Sequence, residues 1–276
     1  MKTWLITGAN RGLGLEIARS ALEAGHSVVA TARKPEQIPA VLTGYGDRLA
    51  AVPLDVTSNA SVSSAVKVAV DRFGRIDVLV NNAGFGQLGF FEEVSSELVR
   101  KQFDTNVFGV FNVTRAVLPI MREQRSGHVV TISSICGIIG FDGASMYCAT
   151  KFAVSGWSES LSIELARFGI RATCVHPGPF RTDFLDPRSV VFGDVSIDDY
   201  TQASQTRREA LAQANHNQDG DPVKFGKAVV KLVESENPPV RWGAGTNALD
   251  TLLARADDLQ GSALVWQELS KSTDIE

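Results

Sequence analysis

The sequence predicts an α/β fold built as one large domain, and three observations carry that reading. A short apolar run, Trp4 to Thr7, leads directly into a glycine-rich turn and then a helical pattern. Strand-like and helix-period runs then alternate along most of the chain, the order that produces a parallel sheet. At 276 residues, 44% hydrophobic and 21% charged, the chain can bury a core without cross-links. It contains no repeat or linker that would divide it.

The first strand, WLIT at Trp4–Thr7, is followed by Gly8-Ala9-Asn10-Arg11-Gly12-Leu13-Gly14 and a helix to about Gly25. Strand, glycine turn and helix make a cradle for a dinucleotide pyrophosphate. The glycines permit close backbone approach, and the helix N-terminus offers free N–H groups and partial positive charge. The spacing is T-G-x-x-x-G-x-G, not G-x-G-x-x-G. The second strand, Ser27–Ala32, ends in Arg33-Lys34 with no carboxylate. An acid there binds the ribose 2′-OH of NAD, whereas a nearby cation accommodates the 2′-phosphate of NADP. With Arg11 in the turn, the cations favour NADP(H); the alternative is that Arg33 and Lys34 are solvated surface charges. The third strand, Leu49–Leu54, reaches Asp55-Val56. Asp55 either accepts a hydrogen bond from the adenine amino group or caps the next helix, a role for which Ser58 competes. From Ser58 to Phe73, Val62, Ala65, Val66, Ala69, Val70 and Phe73 fall on one helix face.

The fourth strand, Asp77–Val80, runs into Asn81-Asn82-Ala83-Gly84. Amides there can fix neighbouring strands, and Ala83-Gly84 leaves room for a flat ring. The following helix has Asn106 among its packing residues Phe103, Val107, Val110, Phe111, Thr114 and Leu118. Asparagine disfavours a helix interior, so Asn106 either bonds neighbouring backbone or has a functional role. A fifth strand, His128–Ile132, leads to Ser134. A helix from Ala144 to about Phe168 carries Tyr147 and Lys151 one turn apart on one face. An ammonium beside a phenol favours phenolate, lowering a pKa of about 10 toward a useful range. Taken alone, the same spacing also suits a solvated helix face. Cys148 points about 100° from Tyr147 and is assigned to packing. Ala149, Ala153, Ser155 and Gly156 admit a close neighbour, either a partner subunit or another helix of the chain.

The sixth strand, Ile170–His176, runs into Pro177-Gly178-Pro179-Phe180-Arg181-Thr182-Asp183, an extended turn. Residues 184–221 form an excursion expected to be a substrate loop or lid, with a polar helix from Asp198 to Ala214. Its apolar members Phe184, Leu185, Val190, Val191 and Phe192 suit an apolar substrate or pack locally. A helix over Pro222–Glu234 and an edge strand over Pro238–Trp242 follow; the tail after Gly261 is polar and peripheral. The net charge of −4 gives no basic face for nucleic acid. No apolar run approaches a membrane span of about 18 residues, and the N-terminus lacks the apolar stretch of a signal peptide. Cys136, Cys148 and Cys174 read as reduced thiols of a cytoplasmic protein. His26, His128, His176 and His216 show no metal-ligand spacing, so no metal is expected.

The ordered set is TGANRGLG at Thr7–Gly14, Asp55, NNAG at Asn81–Gly84, Asn106, Ser134, Tyr147-x-x-x-Lys151, and Pro177-Gly178 with Thr182. It resembles the short-chain dehydrogenases/reductases over roughly Thr3–Asp183, and more loosely to Trp242. The runs KFAVSGWSESLSIELARFGI and PGPFRTDF are similar to the 17β-hydroxysteroid-dehydrogenase-like branch. The resemblance implies a doubly wound Rossmann parallel sheet of about seven strands with helices on both faces, and a homodimer or homotetramer. It implies that Tyr147 exchanges the proton of the substrate oxygen and that Ser134 holds that oxygen. Lys151 would lower the phenol pKa and hold the nicotinamide ribose, and Asn106 would hold a water linked to Lys151. The implied cofactor set is Gly8, Asn10, Arg11, Gly12, Leu13, Gly14, Arg33, Asp55, Val56, Asn82, Ala83, Gly84, Tyr147, Lys151, Pro177, Gly178 and Thr182. Within it Asp55 faces the adenine, Asn82 the nicotinamide and Thr182 the carboxamide. The expected activity is NADP(H)-dependent hydride transfer with an apolar ketone or secondary alcohol. A 3-oxoacyl-thioester reductase and a catalytically silent NADP(H) sensor are the alternatives.

Overall fold

Seven parallel strands form the central sheet. The structure is a computed structural model describing residues 1–186 and 189–275; residues 187 and 188 of the expected lid lie outside the described residues. In chain order the strands are β1 (Thr3–Ile6), β2 (Ser27–Ala32), β3 (Leu49–Pro53), β4 (Val78–Asn81), β5 (Gly86–Leu88), β6 (Gly127–Ile132), β7 (Ile170–Pro177), β8 (Val190–Phe192) and β9 (Arg241–Ala244). The large sheet runs β3-β2-β1-β4-β6-β7-β9, while β5 and β8 pair separately. The chain winds outward from β1 to β3, then returns and builds the other half from β4. The order therefore reverses between β1 and β4, the position where open α/β sheets bind ligands. The glycine turn after β1 and the Asn81–Gly84 turn after β4 both emerge at that point.

Successive strand residues point to opposite faces. Trp4 and Ile6 pack with α1 (Gly12–Glu23) on one face, together with Phe225 and Val229 from a helix late in the chain, Pro222–Glu234. Leu5 packs on the other face with α3 (Asn59–Phe73), α5 (Gly109–Gln124) and α6 (Ser145–Ala166). Burial on both faces explains why the strands read as nearly continuous apolar runs. Each fully buried leucine or isoleucine contributes about 1.5–3 kcal/mol. Local chemistry sets the helix ends. Ser58 Oγ accepts from Ser61 N at 3.3 Å, and Gly74, at φ 71°, closes α3 in the left-handed region.

Five features differ from the sequence reading. The single helix around Asn106 is three pieces: α4 (Ser96–Phe103), a π-helical turn at Asp104–Phe108, and α5. A short α2 (Ile38–Val41) intervenes after β2. The excursion after Phe184 is structured. It supplies β8, whose pairing with β5 puts Gly86 opposite Val190 and Leu88 opposite Phe192, ahead of the expected polar helix, α7 (Thr201–Ala214). After α8 (Pro222–Glu234), β9 starts at Arg241, not Pro238, because Pro238 and Pro239 have no N–H for the ladder. The tail is helical, as α9 (Thr246–Val265) and α10 (Gln267–Lys271), and exposes Leu264, Trp266 and Leu269. Among the described residues no helix is long and apolar enough to cross a membrane.

Candidate active site

The glycine turn is held by side chains that reach across the switch point. Thr7 Oγ1 accepts the backbone N–H groups of Asn82 and Ala83, each at 2.9 Å, so a hydroxyl at the end of β1 organises the turn after β4. Asn82 Nδ2 reciprocates by donating to the carbonyls of Thr7 at 2.9 Å and Gly8 at 3.0 Å. The amide expected to face a nicotinamide is thus engaged with the cradle itself. A Cβ on Gly14 would collide with Asn82 Nδ2 and the Gly8 carbonyl, and Gly8 and Gly12 have φ of 66° and 56°. The glycines are required where two backbones meet at the start of α1. That cradle suits a dinucleotide pyrophosphate. Asn10 and Leu13 lie in the same turn and helix start. Thr182 lies on the far side, where a Cβ added to Gly12 would come into van der Waals contact with it.

Around the cradle, Arg11, Arg33 and Lys34 are exposed. Arg33 acts electrostatically on Asp55, whose pKa is lowered first by its hydrogen bonds with Thr57. Asp55 Oδ1 accepts from Thr57 N at 2.9 Å and Thr57 Oγ1 at 2.7 Å, while Ser58 takes the helix cap. Val56 is buried against Gly109. Gly178, just past Pro177 at the end of β7, donates to Ala244 O at 3.0 Å and abuts Asn247.

Ser134, Tyr147, Lys151 and Asn106 come together beyond the ends of β4 and β6. Ser134 follows β6 in extended conformation and starts a 3-10 turn, Ile135–Gly137. Its Oγ accepts from Cys136 N at 3.1 Å, and the same hydroxyl lies near enough to the Tyr147 phenol to favour the phenolate. Tyr147 is 7% exposed, and its ring lies 5.9 Å from that of Phe184. Lys151 Nζ sits 5.6 Å from the Tyr147 ring centroid and donates to Ile132 O at 3.0 Å. Burial decides both ionisations, because it penalises the charged form. It raises the phenol pKa, with the Ser134 hydrogen bond opposing, and lowers Lys151 to about 8. The expected lowering of the phenol pKa is therefore absent here: desolvation outweighs any lysine contribution.

Asn106 occupies the π-helical turn and is 2% exposed. Its Oδ1 accepts from Phe85 N at 3.1 Å, and its Nδ2 donates to Phe85 O at 3.0 Å and Thr150 Oγ1 at 3.4 Å. Thr150 in turn bonds Tyr147 O at 2.8 Å. Of the two readings of Asn106, backbone bonding is the one seen, and it ties the loop after Gly84 to the tyrosine helix.

Three residues missing from the sequence reading also build the site. His176 Nδ1–H donates to Ser134 O at 3.0 Å; the ring is fully buried, and its pKa falls to about 4 by burial. Ser133 Oγ donates to Lys151 O at 3.1 Å and meets Ser155 Oγ at 2.9 Å. The SSIC run gave no cue to separate Ser133 from Ser134. Away from this cluster, ligand atoms of Asp183, Asp186 and His216 lie within 4.8 Å of one another, a grouping invisible in linear spacing. Asp186 Oδ1 accepts from Asn215 Nδ2 at 2.7 Å and lies 3.0 Å from His216 Nε2.

A glycine cradle at the switch point of a parallel sheet, beside a Ser–Tyr–Lys cluster, defines a Rossmann-type oxidoreductase. The chain belongs to the short-chain dehydrogenase family, whose model, described as short chain dehydrogenase, matches residues 2–189. It is 41% identical over 270 residues to the oxidoreductase BOA17 of Botryotinia fuckeliana (strain B05.10), covering 98% of each chain. It is 39% identical over 241 residues to a 3-ketodihydrosphingosine reductase of Bacteroides thetaiotaomicron, covering 87% of each. Among solved structures, a short-chain dehydrogenase from Streptomyces avermitilis aligns with TM-score 0.90 and 39% identity, over 99% of this chain and 100% of that one. ElxO with NADP bound aligns at 0.75 and 27%, over 90% and 99%. A Burkholderia phymatum enzyme in complex with NAD shares the fold at 0.83 and 23%, over 95% of each.

Proposed function

We propose that the chain is an NADP(H)-dependent reductase of an apolar ketone, or the dehydrogenase of the matching secondary alcohol. The observation that carries this reading is the convergence of Ser134, Tyr147 and Lys151 beside an apolar cluster that contains Leu88, Val190, Leu185 and Phe192. In the reduction, Tyr147 gives its phenolic proton to the carbonyl oxygen, and the Ser134 hydroxyl donates to the same oxygen as negative charge develops. The Lys151 ammonium behind the phenol favours the phenolate left after that transfer. Asn106 holds the loop of Ala83, Gly84 and Phe85 at the ring side of the cleft. NADP(H), held by Gly8, Asn10, Gly12, Leu13, Gly14, Val56, Pro177, Gly178 and Thr182, supplies or accepts the hydride when bound. Arg11, Arg33 and the absence of an acid after β2 support the phosphorylated cofactor. A relative named as a 3-ketodihydrosphingosine reductase supports a carbonyl substrate with apolar bulk. Exposed Phe108, Phe152 and Ile163 beside and along α5 and α6 support a homo-oligomer.

A 3-oxoacyl-thioester reductase is the second reading. Arg207 and Arg208 on α7 line a pocket at the cleft rim with Gly143 and Phe192, where an anionic carrier would meet them. The test compares NADPH with NADH oxidation over ketosteroids, aromatic ketones, aldehydes and oxoacyl-thioesters. Tyr147→Phe is expected to abolish turnover while NADPH binding, followed by fluorescence, persists. Retained turnover removes Tyr147 from its role, and preference for thioesters selects the second reading.

A further inference from the structure

Two side chains in the cleft wall take no part in the chemistry above. Cys136 sits half-buried in the turn after Ser134, and Cys148 is the buried neighbour of Tyr147 on α6. They lie on different elements, yet both pack in the cluster that holds Tyr147, Leu88 and Val190. Each thiol is the other's strongest side-chain influence, so the two sulfurs are neighbours within that cluster. Cys148 packs as its helix position suggests, and it packs beside a second cysteine.

The surroundings of the two sulfurs are unequal. Cys148 is lowered, first by the hydrogen bond from Cys136, then by backbone hydrogen bonds and by the charge of Arg207 on α7, all against burial. Cys136 is pushed up by that same hydrogen bond and by burial. Arg207 and the backbone groups favour a thiolate at Cys148, which makes it the attacking sulfur and leaves Cys136 to resolve. Cys174 offers an internal contrast. It is buried, lies 3.7 Å from Ser155 Oγ and is pushed up by burial.

We propose that Cys136 and Cys148 form an oxidant-modifiable pair that peroxides close into a disulfide across the substrate side of the cleft. The Cys148 thiolate attacks one peroxide oxygen and breaks the O–O bond, leaving a sulfenic acid and releasing hydroxide. The Cys136 sulfur attacks the Cys148 sulfur and forms the S–S bond; the departing hydroxide takes the Cys136 proton and leaves as water, while the first hydroxide takes the proton that Cys148 lost on ionising. In sum two thiols lose two hydrogens, and hydrogen peroxide becomes two waters. Covalent closure draws the turn after Ser134 against the helix that carries Tyr147. Cys136 N donates to Ser134 Oγ, so the displacement reaches the group that contacts the substrate oxygen. A misplacement of about 1 Å at reacting groups costs about 100-fold in rate.

The experiment titrates the full chain with hydrogen peroxide at neutral pH and follows intact mass, peptide maps and cysteine alkylation. The expected result is a loss of about 2 Da, one cross-linked peptide joining Cys136 to Cys148, Cys174 still alkylated, and reversal by dithiothreitol. Cys136→Ser should instead take up oxygen at Cys148 with no cross-link. Where a carbonyl substrate has been found, turnover should fall about 100-fold and return on reduction. The mass readout needs no substrate, so it stands even if the reductase reading fails. Oxygen added to Cys148 while wild-type Cys136 stays alkylatable would overturn the proposal. So would a cross-link involving Cys174, or two unmodified thiols after glutathione in the same tube has been oxidised.

Discussion

Lys151 is where two demands on one residue meet. Its ammonium must sit behind the phenol, yet that position is buried, and burial lowers its pKa to about 8. The proton it needs is therefore lost roughly two units earlier than from a free lysine of pKa about 10.4. Reduction is expected to lose kcat/KM as pH rises through about 8. Residual activity of Lys151→Arg, whose cation persists, should lack that limb; a limb unchanged in the arginine variant would assign it elsewhere. Arg33 poses a simpler question at the same scale. It is exposed just past the end of β2. Its replacement by alanine should weaken NADPH about tenfold or more, the range of a lost charge-assisted hydrogen bond, and leave NADH nearly unaffected. Titrations showing equal losses would make Arg33 a general contact and not a reader of the 2′-phosphate.

Among the elements, the π-helical turn at Asp104–Phe108 shows what the sequence could reveal and what it could not. An asparagine inside an apolar helical pattern marks a position that propensity does not explain, and Asn106 was legible on that ground. The turn's geometry was not, because Asn106 is oriented by Phe85 and Thr150, residues far away in the chain. Asn106→Ala removes partners from both Phe85 N and Phe85 O. Leaving these groups unsatisfied costs about 1–3 kcal/mol each, so urea unfolding should show a loss of that order. NADPH affinity should fall as well, since the Ala83–Phe85 loop is released; an unchanged unfolding midpoint would mean that the loop holds itself. The β5–β8 pair was illegible for a different reason. Three-residue strands carry no period to read, and Gly86-Gln87-Leu88 acquires its conformation by pairing with Val190–Phe192. Helix α9 was not read from the sequence, although Ala and Leu dominate the run from Ala248 to Ala256.

At the scale of the whole molecule, the large sheet was legible because its strands are buried on both faces, and burial on both faces writes itself into composition. The same burial captures histidines. His128, 4% exposed with Nε2 2.9 Å from Thr173 Oγ1, and His176 beneath Ser134 are each held neutral down to about pH 4. Burial is the first cause for both. In the unfolded chain each takes up a proton near pH 6.5. Between pH 6.5 and 4 the unfolded state thus binds protons that the native state refuses, and stability must fall as pH falls. The slope is about 1.4 kcal/mol per pH unit for each histidine, or roughly 3 kcal/mol each over the interval. Below about pH 4 the native state protonates too, and this contribution levels off. Urea unfolding at pH 7, 6 and 5 measures the slope directly. His128→Gln, which keeps a polar side chain near Thr173 but cannot titrate, should remove about half of it while leaving the site intact. If the slope survives in both His128→Gln and His176→Gln, the acid sensitivity belongs to surface carboxylates and the two buried rings are not what limits the fold in acid.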